Sequence, residues 1–422
     1  MEIDDSHQSY IAGGYMDFLE DKGGGLTFKE VNQPPWIGRF QPLGRDIAVF
    51  SFSRSAFWMR LTMINKTSTA QDLILHQYTS WIDSFDIYIT GVDGKTETRK
   101  SGERYPFGQR EIEHNHLLFR LALAPGESIR ITMRAQSQDP LQLPITIWKE
   151  AAFDGYNSRL NMYFGVVFGS LFVVFLYNMM LYASLRDIVY LHYILYIFSL
   201  IFMIFIYTGY AYQYLWPDNP ALQSQLVFPS GYLAMFLAIF IAKSFLDTAR
   251  NMPRIHMAIT IFQAMCLALP LYGFIADDYL FTSLTCSVAA LIFPILMGFA
   301  GVVAYLAQVR AARFFILAWA SSLIGQMVSM GTLFGLFPPD EIYRRMMEVG
   351  FMADAVFLSF ALADRVRILR QEKELAETVA INALEASKDE LERKVAQRTA
   401  ELSSEKERAE AATRLKDKFV AL

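Results

Sequence analysis

Residues 160–208 read LNMYFGVVFGSLFVVFLYNMMLYA, then SLRD, then IVYLHYILYIFSLIFMIFIYT: two apolar runs on either side of the four residues Ser184 to Asp187. A hydrocarbon core about 30 Å thick is crossed by a helix of roughly 20 mainly apolar residues. Each run meets that length, and four residues allow only a reversal of direction, so the pair reads as an antiparallel membrane hairpin. Moved outward along the chain, the same ruler finds spans near 226–247, 255–275, 280–306, 314–336 and 343–364, which makes seven.

Charge divides the chain in the same places. Residues 1–150 hold 16 Lys/Arg and 19 Asp/Glu, residues 151–365 hold only 10 and 11, and residues 366–422 hold 12 of each. The expected fold class is therefore a multidomain membrane protein: an all-β sandwich or jelly roll over 1–150, a seven-helix transmembrane bundle over 155–365, and an α-helical coiled coil over 366–422. A net charge of −4 with no basic block argues against electrostatic capture of nucleic acid. Cys266 and Cys286 both fall in apolar spans, so they read as buried thiols and offer no disulfide framework.

Lys and Arg near helix ends mark the cytoplasmic side. One set of loops holds Arg186, then Lys243, Arg250 and Arg254, then Arg310 and Arg313, followed by Arg365, Arg367 and Arg370. The opposite set has none in 209–225 or 276–279, and only Arg344 and Arg345 break the pattern. The N-terminus is thus expected outside and the C-terminus in the cytoplasm. Tyr210, Tyr212, Tyr214 and Trp216 read as an interfacial aromatic belt, with loop packing as the alternative. The opening MEIDDSHQSY lacks a basic segment followed by an apolar one, so an external first domain implies that an export signal has been removed and an initiator Met added.

Between residues 40 and 150, short runs such as FWMRLTMIN, FDIYIT, LFRLAL and SIRITMRA alternate with period two, the mark of strands. Val92-Asp93-Gly94-Lys95 and Ala124-Pro125-Gly126-Glu127 have the composition of hairpin turns. Alternation places Phe57, Met59, Leu61 and Met63 on one face and Trp58, Arg60 and Thr62 on the other. Arg120, Arg130 and Arg134 likewise oppose their apolar neighbours. An aromatic platform with charged neighbours suits a sugar, and Trp58, Arg60, Trp81 and Arg120 are the candidate ligand-binding residues, against the alternative of a solvated sheet face. Asp83, Asp86 and Asp93 offer oxygens for Ca²⁺, although without EF-hand spacing.

These stretches, with Ser84-Phe85-Asp86-Ile87-Tyr88, Leu123-Ala124-Pro125-Gly126-Glu127-Ser128 and Leu141-Gln142-Leu143-Pro144-Ile145, resemble the extracellular sensor of the seven-transmembrane receptors with diverse intracellular signalling modules. The helices that follow resemble that family's membrane unit, down to Glu348 and the ending Leu362-Ala363-Asp364-Arg365. The resemblance implies a bacterial inner-membrane protein with a periplasmic N-terminus, a jelly roll similar to carbohydrate-binding modules and a small carbohydrate-like ligand; calcium, offered by the three aspartates, is a second candidate from the residues alone.

Glu348 and Asp354 lie inside the last span, where charge costs a few kcal/mol at mid-depth and marks either function or a static packing contact. Six residues apart, they face different neighbours, with Asn178, His192 or Gln326 as expected partners. From Ile381 a heptad runs through Leu384, Lys388, Leu391, Val395, Arg398, Leu402, Glu405, Ala409 and Ala412, which predicts a parallel homodimer with a mixed seam. Glu407 to Val420 resembles the opening of a histidine-kinase dimerisation helix. That resemblance implies a phosphoacceptor His and an ATP- and Mg-dependent domain beyond Leu422, acting on a response regulator or another sensor kinase.

None of the six His falls in this helix, and no phosphate-binding loop occurs, so no catalytic residue, metal site or cofactor is expected in the chain itself. The leading expectation is a receptor that passes a periplasmic signal through membrane helices to a histidine kinase. The alternative is a transporter or membrane enzyme with an appended sensor domain; against it, Pro229, Pro270 and Pro294 form no repeat and no HExxH occurs.

Overall fold

The structure, a computed structural model, describes residues 1–308, 312–333, 336–337 and 341–420. Arg310, one of the charges used for orientation, lies outside them, as does Leu422. Residues 1–361 form one compact unit and 362–422 a second.

The alternating runs become a β-sandwich. One sheet has the order Gln41–Pro42, Asp17–Asp21, Ala56–Asn65, Ser128–Gln136, Ser84–Thr90, Thr96–Ser101, with Glu2–Ile3 also paired to Ala56–Asn65. The other runs Leu117–Leu123, Gln71–Gln77, Ile145–Lys149, Ser9–Ile11, and a short pair joins Leu141–Leu143 to Ala48–Ser51. From Ala56–Asn65 onward the chain crosses repeatedly between the sheets, broken only by the hairpin of Ser84–Thr90 with Thr96–Ser101, the jelly-roll habit. Phe57, Met59, Leu61 and Met63 meet Leu73, Leu75, Leu117 and Phe119 of the facing sheet in one apolar core, as alternation predicts.

The two predicted turns have different fates. Val92 to Lys95, with Gly94 at φ 76°, closes the hairpin between Ser84–Thr90 and Thr96–Ser101. Ala124 to Glu127, with Gly126 at φ 73°, instead carries the chain from one sheet to the other. A tight turn fixes a reversal of direction but says nothing about which strand the chain then pairs with.

Among the described residues, seven helices are long and apolar enough to cross a membrane: Glu150–Leu185, Ile188–Tyr207, Pro220–Phe245, Pro253–Ala276, Tyr279–Leu306, Ala312–Thr332 and Met346–Ile368. Hereafter they are numbered one to seven. The first begins at the residue after the last strand, with no linker between Lys149 and Glu150. It starts ahead of the membrane-like run because Phe153, Tyr156, Leu160 and Phe164 cover Ile74 and Leu118 on the face of the second sheet turned away from the core. Cys266 and Cys286 are free and buried.

The helix that starts at Met346 is assigned through Val420. In the second unit its surface carries ion pairs one turn apart, such as Lys394 with Glu390 at 2.7 Å, beside the exposed apolar residues Ile381, Leu384, Leu391, Val395 and Leu402.

Candidate functional site

The four residues expected to bind ligand are dispersed. Trp58 is fully buried on the outward face of the first sheet, beneath Leu19 and Val31 and beside Leu26, Phe28, Trp36, Phe40 and Tyr88. The covering segment is shaped by the short helix Phe28–Val31, whose Thr27 and Glu30 form a reciprocal capping box. Arg60 shares that face, with its guanidinium 3.9 Å from the centre of the Phe40 ring and Nη2 donating to Asn32 Oδ1 at 3.4 Å. Trp81 sits elsewhere, edge-on to Tyr207 at 5.6 Å. Arg120 lies on the second sheet, where its backbone N–H donates to Glu111 Oε1 at 3.0 Å.

Asp83, Asp86 and Asp93 also separate. Asp83 pairs with Arg104 at 3.1 Å, Asp86 accepts from Tyr105 at 3.5 Å, and Asp93 pairs with Lys95 at 3.4 Å in the hairpin turn. Among the described residues, no three His, Cys, Asp or Glu are grouped to hold a metal ion.

What the fold does assemble is a polar junction between the β domain and one end of the bundle. At the end of helix two the carbonyls of Tyr207 and Thr208 are taken up by the β domain. Ser80 Oγ donates to Tyr207 O at 3.0 Å and Asn115 Nδ2 to Thr208 O at 2.8 Å, so β-domain side chains cap that helix. At the start of helix three, Gln223 Nε2 donates to Glu103 Oε1 at 3.0 Å while Gln223 Oε1 accepts from Trp216 Nε1 at 3.0 Å. Glu103 is 1 % exposed and its Oε2 has no hydrogen-bond partner. Burial pushes this carboxyl up to about 8, against the bond from Gln223.

Arg110, also buried, donates to the carbonyls of His114 and Asn115 at 2.7 and 3.0 Å, and burial brings it down to about 10. Beside it, His76 and His116 are hydrogen-bonded at 2.9 Å, and His114 meets Asn157 of helix one at 3.0 Å. Tyr78 lies tilted against His116 at 4.4 Å and receives Arg344 and Arg345 at 4.9 and 5.3 Å over its ring. Arg345 is buried and bonds Glu341 at 2.8 Å. The two arginines that break the loop-charge pattern are thus spent on this junction.

The aromatic run after helix two serves it too. Residues Tyr210–Tyr214 form a short helix whose Tyr212 is buried and donates to Tyr105 O, while Tyr214 stays exposed. Loop packing, the alternative reading, describes Tyr212 better than an interfacial belt.

Within the bundle, Asp354 of helix seven accepts from Tyr196 of helix two at 2.6 Å, and Glu348 Oε2 has no hydrogen-bond partner. None of the expected partners is used. Asn178 donates to Ser359, His192 meets Ser244, and Gln326 donates to Ser322. A tyrosine hydroxyl suits a buried carboxyl as well as an amide does, and periodicity alone does not choose between them.

The junction escaped the sequence reading because its pairs are far apart in sequence, 120 residues for Glu103 and Gln223. Two signals were present: the string His114-Asn115-His116 in a chain of six histidines, and the misplaced charges of Arg344 and Arg345. A family model described as "7TM diverse intracellular signalling" matches residues 160–365, and one described as "7TMR-DISM extracellular 2" matches residues 13–149. No curated protein matches the chain.

Proposed function

The chain belongs to the seven-transmembrane receptors with diverse intracellular signalling modules, and from that premise we propose that it is the sensing half of a receptor histidine kinase. In this reading the β domain faces the periplasm of a bacterial inner membrane and recognises a carbohydrate-like ligand. Occupancy shifts the membrane helices, and a dimeric coiled coil carries the shift to an ATP- and Mg-dependent kinase and its response regulator.

One observation carries the proposal. The β domain holds the ends of helices one, two, three and seven through buried side chains, so it has the means to bias their packing. The domain also caps the end of the bundle whose loops are poorest in Lys and Arg, which supports the outward orientation.

The test is calorimetric titration of the full chain in nanodiscs with a panel of hexose and N-acetylhexosamine oligosaccharides, with Arg60→Ala alongside. Hydrogen bonds to a charged group are worth about 1.5–3 kcal/mol, so the variant should bind roughly 10- to 150-fold more weakly. Equal affinities in an intact fold would remove Arg60 from the site. Absence of binding across the panel would remove the sugar.

A further inference from the structure

We propose that protons are themselves a stimulus for this receptor: acidification of the compartment holding the β domain loosens its grip on helices one and seven while tightening its grip on helix three.

The histidine side of the junction is built from neutral rings. His114 Nδ1 accepts from the backbone N–H of His116 at 3.0 Å, which leaves its Nε2 to donate to Asn157 of helix one. His76 Nε2 and His116 Nδ1, 2.9 Å apart, need only one proton between them. All three rings are at most 8 % exposed. Phe153 and Tyr156 of helix one pack on His76 at 5.5 and 5.6 Å, and Tyr78 lies between these rings and helix seven.

The charges facing the cluster are mostly positive. Arg110 approaches from the β domain, and Arg344 and Arg345 from the turn before helix seven. Of the nearby carboxylates, Glu341 is already bonded to Arg345, and Glu348 lies deeper along helix seven. A proton on any of the three rings adds a cation where three are already confined. Burial, reinforced first by the neighbouring histidines and then by the arginines, holds His76 and His116 well below their ordinary 6.5, and burial lowers His114 as well. For a base that is harder to protonate in contact than apart, the contact is at full strength above about 6.5 and is lost as pH falls below it. For a ring that stays neutral in contact over that whole range the loss is on the order of 25-fold between pH 7 and pH 5.

The other side of the junction has the opposite sign. Glu103 is buried against Gln223 of helix three with one oxygen unpartnered; Asp83 and buried Asp139 lie near it, and Arg110 faces it as the opposing positive charge. An acid raised from 4.5 to about 8 by burial, against the bond from Gln223, favours below 4.5 the docked arrangement that buries it, and weakens that arrangement as pH climbs toward 8. The two sides hold different helices, so a proton moves the grip across the bundle instead of detaching the domain. Arg345 directly precedes Met346, the first residue of helix seven, so the freed segment is the start of the helix that leads to the tail.

The inference needs only the docked junction and stands whether or not a glycan or a kinase is involved. The test is hydrogen exchange on the full chain in nanodiscs at pH 7 and pH 5, corrected for intrinsic rates. Protection of residues 112–118 and 341–347 should fall at least tenfold at pH 5, while that of residues 216–226 rises. His76→Gln with His116→Gln should reduce the fall and keep the rise, and Glu103→Gln should keep the fall and abolish the rise. Flat protection in the wild type, or an unchanged acid response in the histidine variant, overturns the proposal. Should the variants fold poorly, NMR titration of the wild-type histidines decides: rings at 76, 114 and 116 that charge near 6.5 would overturn it, and rings still neutral well below 6.5 would support it.

Discussion

Trp58 shows how far a single position can be read. Alternation correctly sets it opposite Phe57 and Met59, yet period two cannot say whether the second face meets water or another part of the chain. Here it meets Val31 and the aromatic residues of the covering segment, and no ring surface is left open. Trp58→Ala should therefore act as a core truncation, costing about 3–5 kcal/mol, and lower the thermal midpoint of the β domain in the full chain followed by circular dichroism. A midpoint within a degree of wild type would mean that the covering segment does not hold the ring. Arg60, half-buried and stacked on Phe40, retains the polar atoms that a ligand would need.

At the scale of elements, the membrane helices are the most legible part, because bilayer thickness imposes a length that local composition must satisfy. Their ends are less legible. Helix one starts at Glu150 and not near 160, since its first turns are covered by protein and not by lipid. Two residues past the end of helix two comes Gly209, with φ 80°, and a Cβ there would lie 2.8 Å from Asn115 O and 2.9 Å from Ser80 Cβ. Gly209→Ala thus combines a left-handed backbone with a clash against the two residues that cap the helix. It should lower the melting temperature of the purified chain by several degrees, and an unchanged value would show that the cap yields without cost. The tail makes a separate prediction. Its apolar residues at heptad spacing are exposed in one chain, so replacing Leu391 and Val395 with Glu should shift the mass measured by light scattering from dimer toward monomer. Unchanged mass would place the association elsewhere.

For the whole molecule, the β domain has a complete core of its own but not a complete surface. Its sheets bury their inner faces against each other, whereas Ile74, Leu118 and Trp148 are covered by helix one. Expressed alone, residues 1–150 should give a dispersed amide NMR spectrum and also associate at high concentration through that uncovered patch, and Ile74→Ser with Leu118→Ser should make it monomeric by sedimentation. A collapsed spectrum would show that the bundle is needed for folding. Since strand passes into helix one at Lys149 and Glu150 with nothing between, the sandwich is keyed to the bundle in angle as well as position. Each inserted residue would turn it by about 100° about the helix axis, and no slack exists to absorb the turn. Recombination that exchanges sensor heads between such receptors would then succeed only where the crossover preserves helical phase, which makes this joint a constraint on the evolution of new specificities.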